Sequence, residues 1–309
     1  MGRIEKISKI KSKRKIAKII FEKIKNRQFD VFYDALVELI VHPFLYNKEN
    51  EKKMKSVLDL EWDNLIILDA CRWDTFCKVF GKEVPYIFSK GSSTPEWLVK
   101  NFNNKKLEEV IYISSNPYVE VYVKDSFYKI FSLWLTNWNE EIGTVMPEEV
   151  TENALKIHKK YPNKKLIIHY MQPHYPFIGH QDLTPLVNSE GTFYKNKVRE
   201  NPWTALAKGK LTEKEVWDAY EDNLKVVLPG VLNLAKNLKG KTIISADHGN
   251  MYKKIKFPPH IISGHIYNFH HEDLIKVPWY EANNIPKELD TEKERISCVL
   301  NKLKLANKI

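Results

Sequence analysis

The sequence predicts an α/β fold: a three-layer sandwich with helices on both faces of a mostly parallel central sheet. Three observations point to it. Four short runs are apolar from end to end, helical stretches alternate with them, and polar residues capable of chemistry stand at their C-terminal ends. A strand buried on both faces loses the usual in–out alternation, so a continuous apolar run marks a central parallel strand.

The four runs are "NLIILD" (64–69), "VIYISS" (110–115), "KLIIHYM" (165–171) and "KTIISAD" (241–247). Between them, helices are expected over Pro95 to Phe102, Pro147 to Lys160 and Glu213 to Leu238. The alternation of strand and helix argues for one layered α/β domain. Residues 184–210 hold Pro, Gly and Asn without clear periodicity and read as a long loop or insertion, a type of segment often used as a lid. The domain is expected over residues 55–309, preceded by a basic helical segment over residues 1–54.

Composition narrows the classes. The chain has 309 residues and 43% hydrophobic content, enough to bury a sizeable core. No apolar run reaches the roughly 18 residues a membrane span needs. Lysines interrupt the apolar residues near the N-terminus, so no signal peptide is read there. Met1-Gly2 is followed by Lys6, where a myristoylation site wants Ser or Thr. Cys71, Cys77 and Cys298 make no disulfide framework. A reduced, cytoplasmic protein is the expectation.

The charge is concentrated. Residues 1–30 hold eleven Lys or Arg against three acids, a net +8 out of +10 for the whole chain. Ile10, Ile16, Ile19, Ile20, Phe21 and Ile24 recur among the lysines at roughly helical spacing. A basic amphipathic helix follows, able to lie on an anionic membrane surface at the inner face, to contact nucleic acid or to dock on the body. A second helix is expected over Phe29 to Val41, and "YNKENEKK" (46–53) reads as a polar linker. The nearly neutral body lacks the basic stripe that nucleic acid would need.

In open α/β sheets, ligands bind outside the carboxyl ends of the strands. Asp69 ends the first run, and Asp247-His248-Gly249-Asn250 ends the last. One imidazole and two carboxylates converging from two strands would suit zinc or manganese better than calcium. A lone Asp at a strand end is more often a turn residue, so the combination carries the signal. "SSTPEW" (92–97) places Pro95 at a helix start, which makes Thr94 the expected N-cap and Glu96 an early acidic residue. A hydroxyl there sits in positive potential beside backbone N–H groups that can meet an anion. "HYMQPHYPF" (169–177) adds His169 and His174, and "SGH" (263–265) adds His265. Cys71 lacks an evident base and reads as a small buried residue.

Taken in order, "LIILDACRWD", the helix-start hydroxyl, "QPHYPF", "SADHGN" and the later "GH…VPW" resemble the motifs of the alkaline phosphatase-like superfamily, in its sulfatase-like branch. The resemblance runs over about residues 60–282. It implies that Asp69, Asp247 and His248 ligate a divalent metal. Thr94 would be the nucleophile, with Ser93 as the competing assignment. His174 would bind the anionic substrate or protonate the leaving group. His265 would contact substrate or ligate a second metal. Arg72 matches the motif's arginine, and an ion pair with Asp74 is its expected role. Formylglycine sulfatases need Cys or Ser in a C/S-x-P-x-R context, and here Glu96 and Trp97 follow Pro95. The implied activity is therefore hydrolysis or transfer of a phosphate mono- or diester with one Mn²⁺ or Zn²⁺, a second metal remaining an alternative. A sulfuric ester hydrolase and a non-catalytic binding member are the other readings.

Overall fold

The computed structural model describes residues 48–188, 197–255 and 260–282. The basic segment, the helix expected over 29–41 and Cys298 lie outside the described residues.

A short helix, α1 (Lys48–Lys53), stands where a polar linker was expected. Its Glu49 and Glu51 occupy the first turn and its Lys52 and Lys53 the last, the arrangement that complements a helix dipole. It leads into β1 (Met54–Lys55). Then come β2 (Asn64–Leu68), α2 (Trp73–Phe80), β3 (Tyr86–Ser89), α3 (Thr94–Phe102) and β4 (Leu107–Ser114). Next are α4 (Tyr118–Tyr122), β5 (Phe127–Ser132), α5 (Leu133–Thr136), and the small hairpin of β6 (Trp138–Asn139) and β7 (Thr144–Val145). The middle of the chain supplies α6 (Pro147–Lys160) and β8 (Lys165–Tyr170). The stretch read as a loop instead holds β9 (Leu186–Asn188), β10 (Lys197–Arg199) and α7 (Pro202–Ala207). Helix α7 was hidden because it is short, and its start is capped by Asn201, whose side chain accepts from Trp203 and Thr204 N–H. The chain closes with α8 (Glu213–Asn237), β11 (Thr242–Ser245), β12 (Met251–Ile255), β13 (His260–Gly264), α9 (Glu272–Ile275) and β14 (Lys276–Glu281).

Eight strands form the central sheet in the order β1-β3-β14-β11-β2-β8-β4-β5. The pairs from β11 through β5 are parallel, and β14 alone runs against its neighbours. Each of the four apolar runs forms one of the contiguous strands β11, β2, β8 and β4. Strands β1, β3 and β5 were missed because they are short or half exposed and lack that apolar signature.

Side-chain parity explains the continuous hydrophobicity. Ile66, Leu68, Ile111, Ile113, Leu166, Ile168 and Ile244 face a core built with α2, α6 and α8. Their neighbours Leu65, Ile67, Val110, Tyr112, Ile167 and Ile243 face a second core with Trp97, Leu98 and Phe102 of α3. Register places Ile66 beside Ile168 on one side and Ile244 on the other. These central strands therefore bury apolar side chains on both faces, at about 25 cal/mol per Å² of apolar surface. The result is the three-layer architecture expected above. No helix among the described residues is long and apolar enough to cross a membrane.

Candidate active site

Strands β2 and β11 are adjacent and parallel, so the residues that follow them emerge side by side. Asp69 follows β2 and Asp247-His248 follows β11. All three are almost wholly buried, and one ligand atom from each lies within 4.8 Å of the others. The turn after β2 is tight: Ala70 has φ 58°, and its N–H donates to Asp247 Oδ1 at 3.0 Å. His248 N–H donates to the same oxygen at 2.9 Å.

The cluster has the chemistry of a cation site. His248 Nδ1 lies 2.8 Å from the Gly249 carbonyl, which can only accept, so Nδ1 carries the proton and Nε2 presents a lone pair. That Nε2 faces Asp69 Oδ1 at 3.8 Å and Asp247 Oδ2 at 3.4 Å. Asp69 Oδ1 is buried with no hydrogen-bond partner. Thr94 Oγ1 completes the group, donating to Asp247 Oδ2 at 2.7 Å and lying 3.2 Å from His248 Nε2. Four electron-rich atoms thus surround one point with a single hydroxyl proton among them. Buried carboxylates left this way are costly unless positive charge is supplied. A divalent metal fits that donor set of carboxylate, imidazole and hydroxyl. Among the described residues no other group of three His, Cys, Asp or Glu side chains converges in this way.

Electrostatics agree. Burial pushes the Asp69 carboxyl up, but His169, His174 and His248 more than offset it and hold it well below the usual carboxylate range. Burial lowers His174, and the neighbouring Asp69 only partly restores it. Burial, with His248 and His174 close by, drives His265 well below the ordinary histidine value. The three rings form one array: His265 lies 4.6 Å from His248 and 5.3 Å from His174, centroid to centroid.

Thr94 and Ser93 are placed differently. Ser93, not Thr94, is the N-cap of α3, and its side chain makes no capping bond. The cap expected at Thr94 is therefore displaced by one residue, because the Ser93 carbonyl already accepts from Trp97 N–H. Thr94 Oγ1 points to the carboxylate–imidazole cluster, whereas Ser93 Oγ is buried without a partner. Glu96 is not simply an acidic residue favouring the helix dipole. Its carboxylate is fully buried and meets His270 Nε2 at 2.8 Å and Lys100 Nζ at 2.6 Å. It also accepts from the N–H groups of Ser92 and Asn268, which ties the start of α3 to the loop that carries His265. Gly91 allows this closeness, since a Cβ there would lie 2.4 Å from Trp97 N.

His174 follows β8. Its backbone N–H donates to Asp69 O at 3.1 Å, and its Nδ1 meets the Tyr175 carbonyl at 2.6 Å, which leaves Nε2 as the ring's free face. Helix α8 holds both loops. Tyr220 Oη donates to Ala70 O at 2.6 Å and accepts from Arg72 N at 2.9 Å. One turn on, Asn223 Nδ2 reaches the carbonyls of Pro173, His174 and Pro176. Arg72 makes the ion pair expected with Asp74, bidentate at 2.8 and 2.6 Å, and also donates to Asn250 O at 2.8 Å. Cys71 is buried and burial raises its thiol, so it is no nucleophile.

Sequence reasoning passed over one contributor, Asn116, and named a second, His169, without giving it a role. Asn116, after β4, donates to Asp69 Oδ2 at 2.6 Å. His169, the penultimate residue of β8, turns its Nε2 toward Asp69 Oδ2 at 3.4 Å. The position of both at the carboxyl ends of central strands was the available signal.

Neither a family model nor a curated protein matches the chain. Solved structures with a related chain path include the soluble domain of lipooligosaccharide phosphoethanolamine transferase A from Neisseria meningitidis. It shares 13% identity over 78% of this chain and 81% of that one, with a TM-score of 0.43. A second is a phosphoglycerate mutase from Leishmania mexicana, at 14% identity over 63% of this chain and 32% of that one, with a TM-score of 0.27. At likeness this low, the functional reading stands on the site's own geometry.

Proposed function

We propose that the protein is a metal-dependent phosphoryl-transfer enzyme that uses Thr94 as nucleophile on a phosphate ester. The observation that carries this reading is the placement of a buried threonine hydroxyl at a helix N-terminus, sharing Asp247 and His248 with an unpartnered Asp69 oxygen. Asp69, Asp247 and His248 would hold one divalent cation. Manganese is favoured for this carboxylate-rich set, with zinc as the other choice. Bound there, such an ion supplies the charge that favours the alkoxide and screens the phosphate oxygens.

The chain's own residues do the rest. Thr94 Oγ1 gives up its proton on the side of Asp247 Oδ2 and attacks phosphorus in line, forming phosphothreonine as the ester bond breaks. The start of α3 offers backbone N–H groups to the equatorial oxygens. Ser93 Oγ, with no hydrogen-bond partner among the described residues, is available to the same anion. His174, protonated at Nε2 once the phosphate is bound, gives that proton to the departing alcohol. Its lowered pKa favours the neutral ring before substrate binds, and a bound phosphate would raise it again by opposite charge. In the second half His174 takes the proton of the incoming water or alcohol, which attacks phosphothreonine and regenerates Thr94. Neutral His265, beside His174 and His248, would contact the substrate.

The ester is a phosphate rather than a sulfate on this reading, since Glu96 stands locked in an ion pair and no arginine follows Pro95. The basic segment over residues 1–30 would bring the enzyme to an anionic membrane surface from the cytoplasmic side.

The test is turnover of p-nitrophenyl phosphate, bis-p-nitrophenyl phosphate and p-nitrophenyl sulfate with Mn²⁺ or Zn²⁺. Phosphate-ester activity lost in Thr94→Ala and Asp247→Asn is expected. Activity retained in both variants would sink the assignment. Turnover of the sulfate alone would point to the sulfatase reading, and no turnover with metal bound to a binding protein.

A further inference from the structure

The two oxygens of Asp69 are not equivalent. Oδ1 is buried without a partner and faces the cluster, while Oδ2 is approached by Asn116 Nδ2 at 2.6 Å and His169 Nε2 at 3.4 Å. We propose that Asn116 and His169 reserve Oδ2, so that Asp69 meets the cation through Oδ1 alone, and that Tyr112 fixes His169 as a donor rather than a fourth ligand. The proposal rests on the reading of a cation at Asp69, Asp247 and His248.

Asn116 is oriented from three directions. Its Oδ1 accepts from Tyr118 N–H at 2.9 Å, its N–H donates to Ser114 Oγ at 3.0 Å, and its carbonyl accepts from Ser114 Oγ at 2.8 Å. With Oδ1 occupied as an acceptor, the amide cannot flip, and Nδ2 must present its hydrogens to Asp69. The 2.6 Å contact is short, as expected for a donor to a charged carboxylate.

The protonation of His169 follows from Tyr112. The phenol is fully buried, its Oη lies 2.8 Å from His169 Nδ1, and burial pushes its pKa far up, so it keeps its proton. If Nδ1 bore a hydrogen, the phenol proton would have no acceptor, at a cost of about 1–3 kcal/mol. Nδ1 therefore accepts, and Nε2 carries the proton. Nε2 lies 3.4 Å from Asp69 Oδ2 and 3.9 Å from Asp247 Oδ2, within ion-pair reach but without a formed hydrogen bond, and a lone pair there would face two carboxylates. A protonated nitrogen cannot ligate a metal. The chain Tyr112–His169–Asp69 thus acts on the metal through Asp69, and the longer contact ranks His169 below Asn116. Both are positioning residues: outer partners of this kind set ligand orientation and typically shift metal affinity by about 10–100-fold.

The experiment titrates Mn²⁺ calorimetrically into the full-length protein and reads the Asp69 carboxylate by the infrared stretch splitting that separates one-oxygen from two-oxygen ligation. Asn116→Ala is expected to weaken Mn²⁺ by about 10–100-fold and move the splitting toward two-oxygen ligation. His169→Leu should weaken it less. His169→Gln, whose amide N–H can take the place of Nε2–H, should restore most of the loss. Native affinity and an unchanged splitting in Asn116→Ala and His169→Leu would overturn the proposal while leaving the metal site standing. Failure of His169→Gln to rescue His169→Leu, with a nitrogen lost from the coordination shell by X-ray absorption, would show His169 to be a ligand and overturn it as well. No Mn²⁺ or Zn²⁺ binding by the native protein, or binding undiminished in Asp247→Asn, would remove the reading beneath it. If Asn116→Ala melts out by circular dichroism, the His169 pair decides alone.

Discussion

Two buried ionic clusters lie two residues apart at the start of α3. Around Glu96, both carboxylate oxygens are met by donors: His270 and Lys100 on one, Ser92 and Asn268 N–H on the other. Around Thr94, the carboxylates of Asp69 and Asp247 meet an imidazole whose lone pair also points inward, and Asp69 Oδ1 has no donor. Both clusters are buried and both join acids to histidine. The first is electrically closed and ties α3 to the His265 loop. The second is open and could hold a positive guest. A buried charge that is fully paired speaks for architecture, and one left unpaired speaks for a ligand.

The sharpest way to break this contrast is to alter the two clusters separately. Thr94→Ala should abolish turnover, by about a thousand-fold or more, while still binding metal through the three remaining groups. Asp247→Asn should lose both, and calorimetry beside the ester assay separates the two outcomes. Glu96→Ala should do the reverse. It strips His270 Nε2 and Lys100 Nζ of their shared buried carboxylate, at about 3–5 kcal/mol, seen as a fall in Tm, with the metal stoichiometry preserved. Equal loss of metal from Glu96→Ala and Asp247→Asn would show the clusters to be one unit.

Acid distinguishes them further. Burial raises Glu96, but His270, Lys100 and Ser92 outweigh it and hold its carboxyl at about 2, against an ordinary value of 4.5. The folded protein therefore binds fewer protons than the unfolded chain in this range. The contribution is complete above about pH 4.5 and fades as pH falls toward 2, amounting to about 3 kcal/mol. Denaturant titrations across that window should show a steeper slope in the native protein than in Glu96→Ala, where lowered carboxyls such as Asp69 and Asp74 still contribute. The smallest effect is expected at Tyr220→Phe, which removes one hydroxyl bonded to Ala70 O and Arg72 N–H. A loss of about 1–2 kcal/mol in chemical denaturation is expected, with some weakening of metal binding through the Asp69 turn.

Much of this was legible in the order of residues. The four central strands declare themselves because burial on both faces removes the polar alternation. Helix α6 was read with its observed bounds, and α8 to within one residue, because both have long amphipathic periods. Asp69 and Asp247-His248 could be singled out because strand ends are where ligands sit. The rest depended on contacts that no spacing encodes. Asn116 carries no motif of its own, and its amide matters only because β4 lies next to β8 and β8 next to β2. His169 stood inside an apolar run, and its tautomer is set by a tyrosine 57 residues away. Glu96 read as an early helix acid until His270 closed on it from 174 residues away.

Helix α8 gives the contrast one last consequence. Tyr220 grips the Asp69 turn and Asn223 grips the His174 loop, one helical turn apart on the same face. The proposed cation half and the proposed proton-handling half of the site are thus bolted to one rod, and any slippage or rotation of that rod would misalign both together.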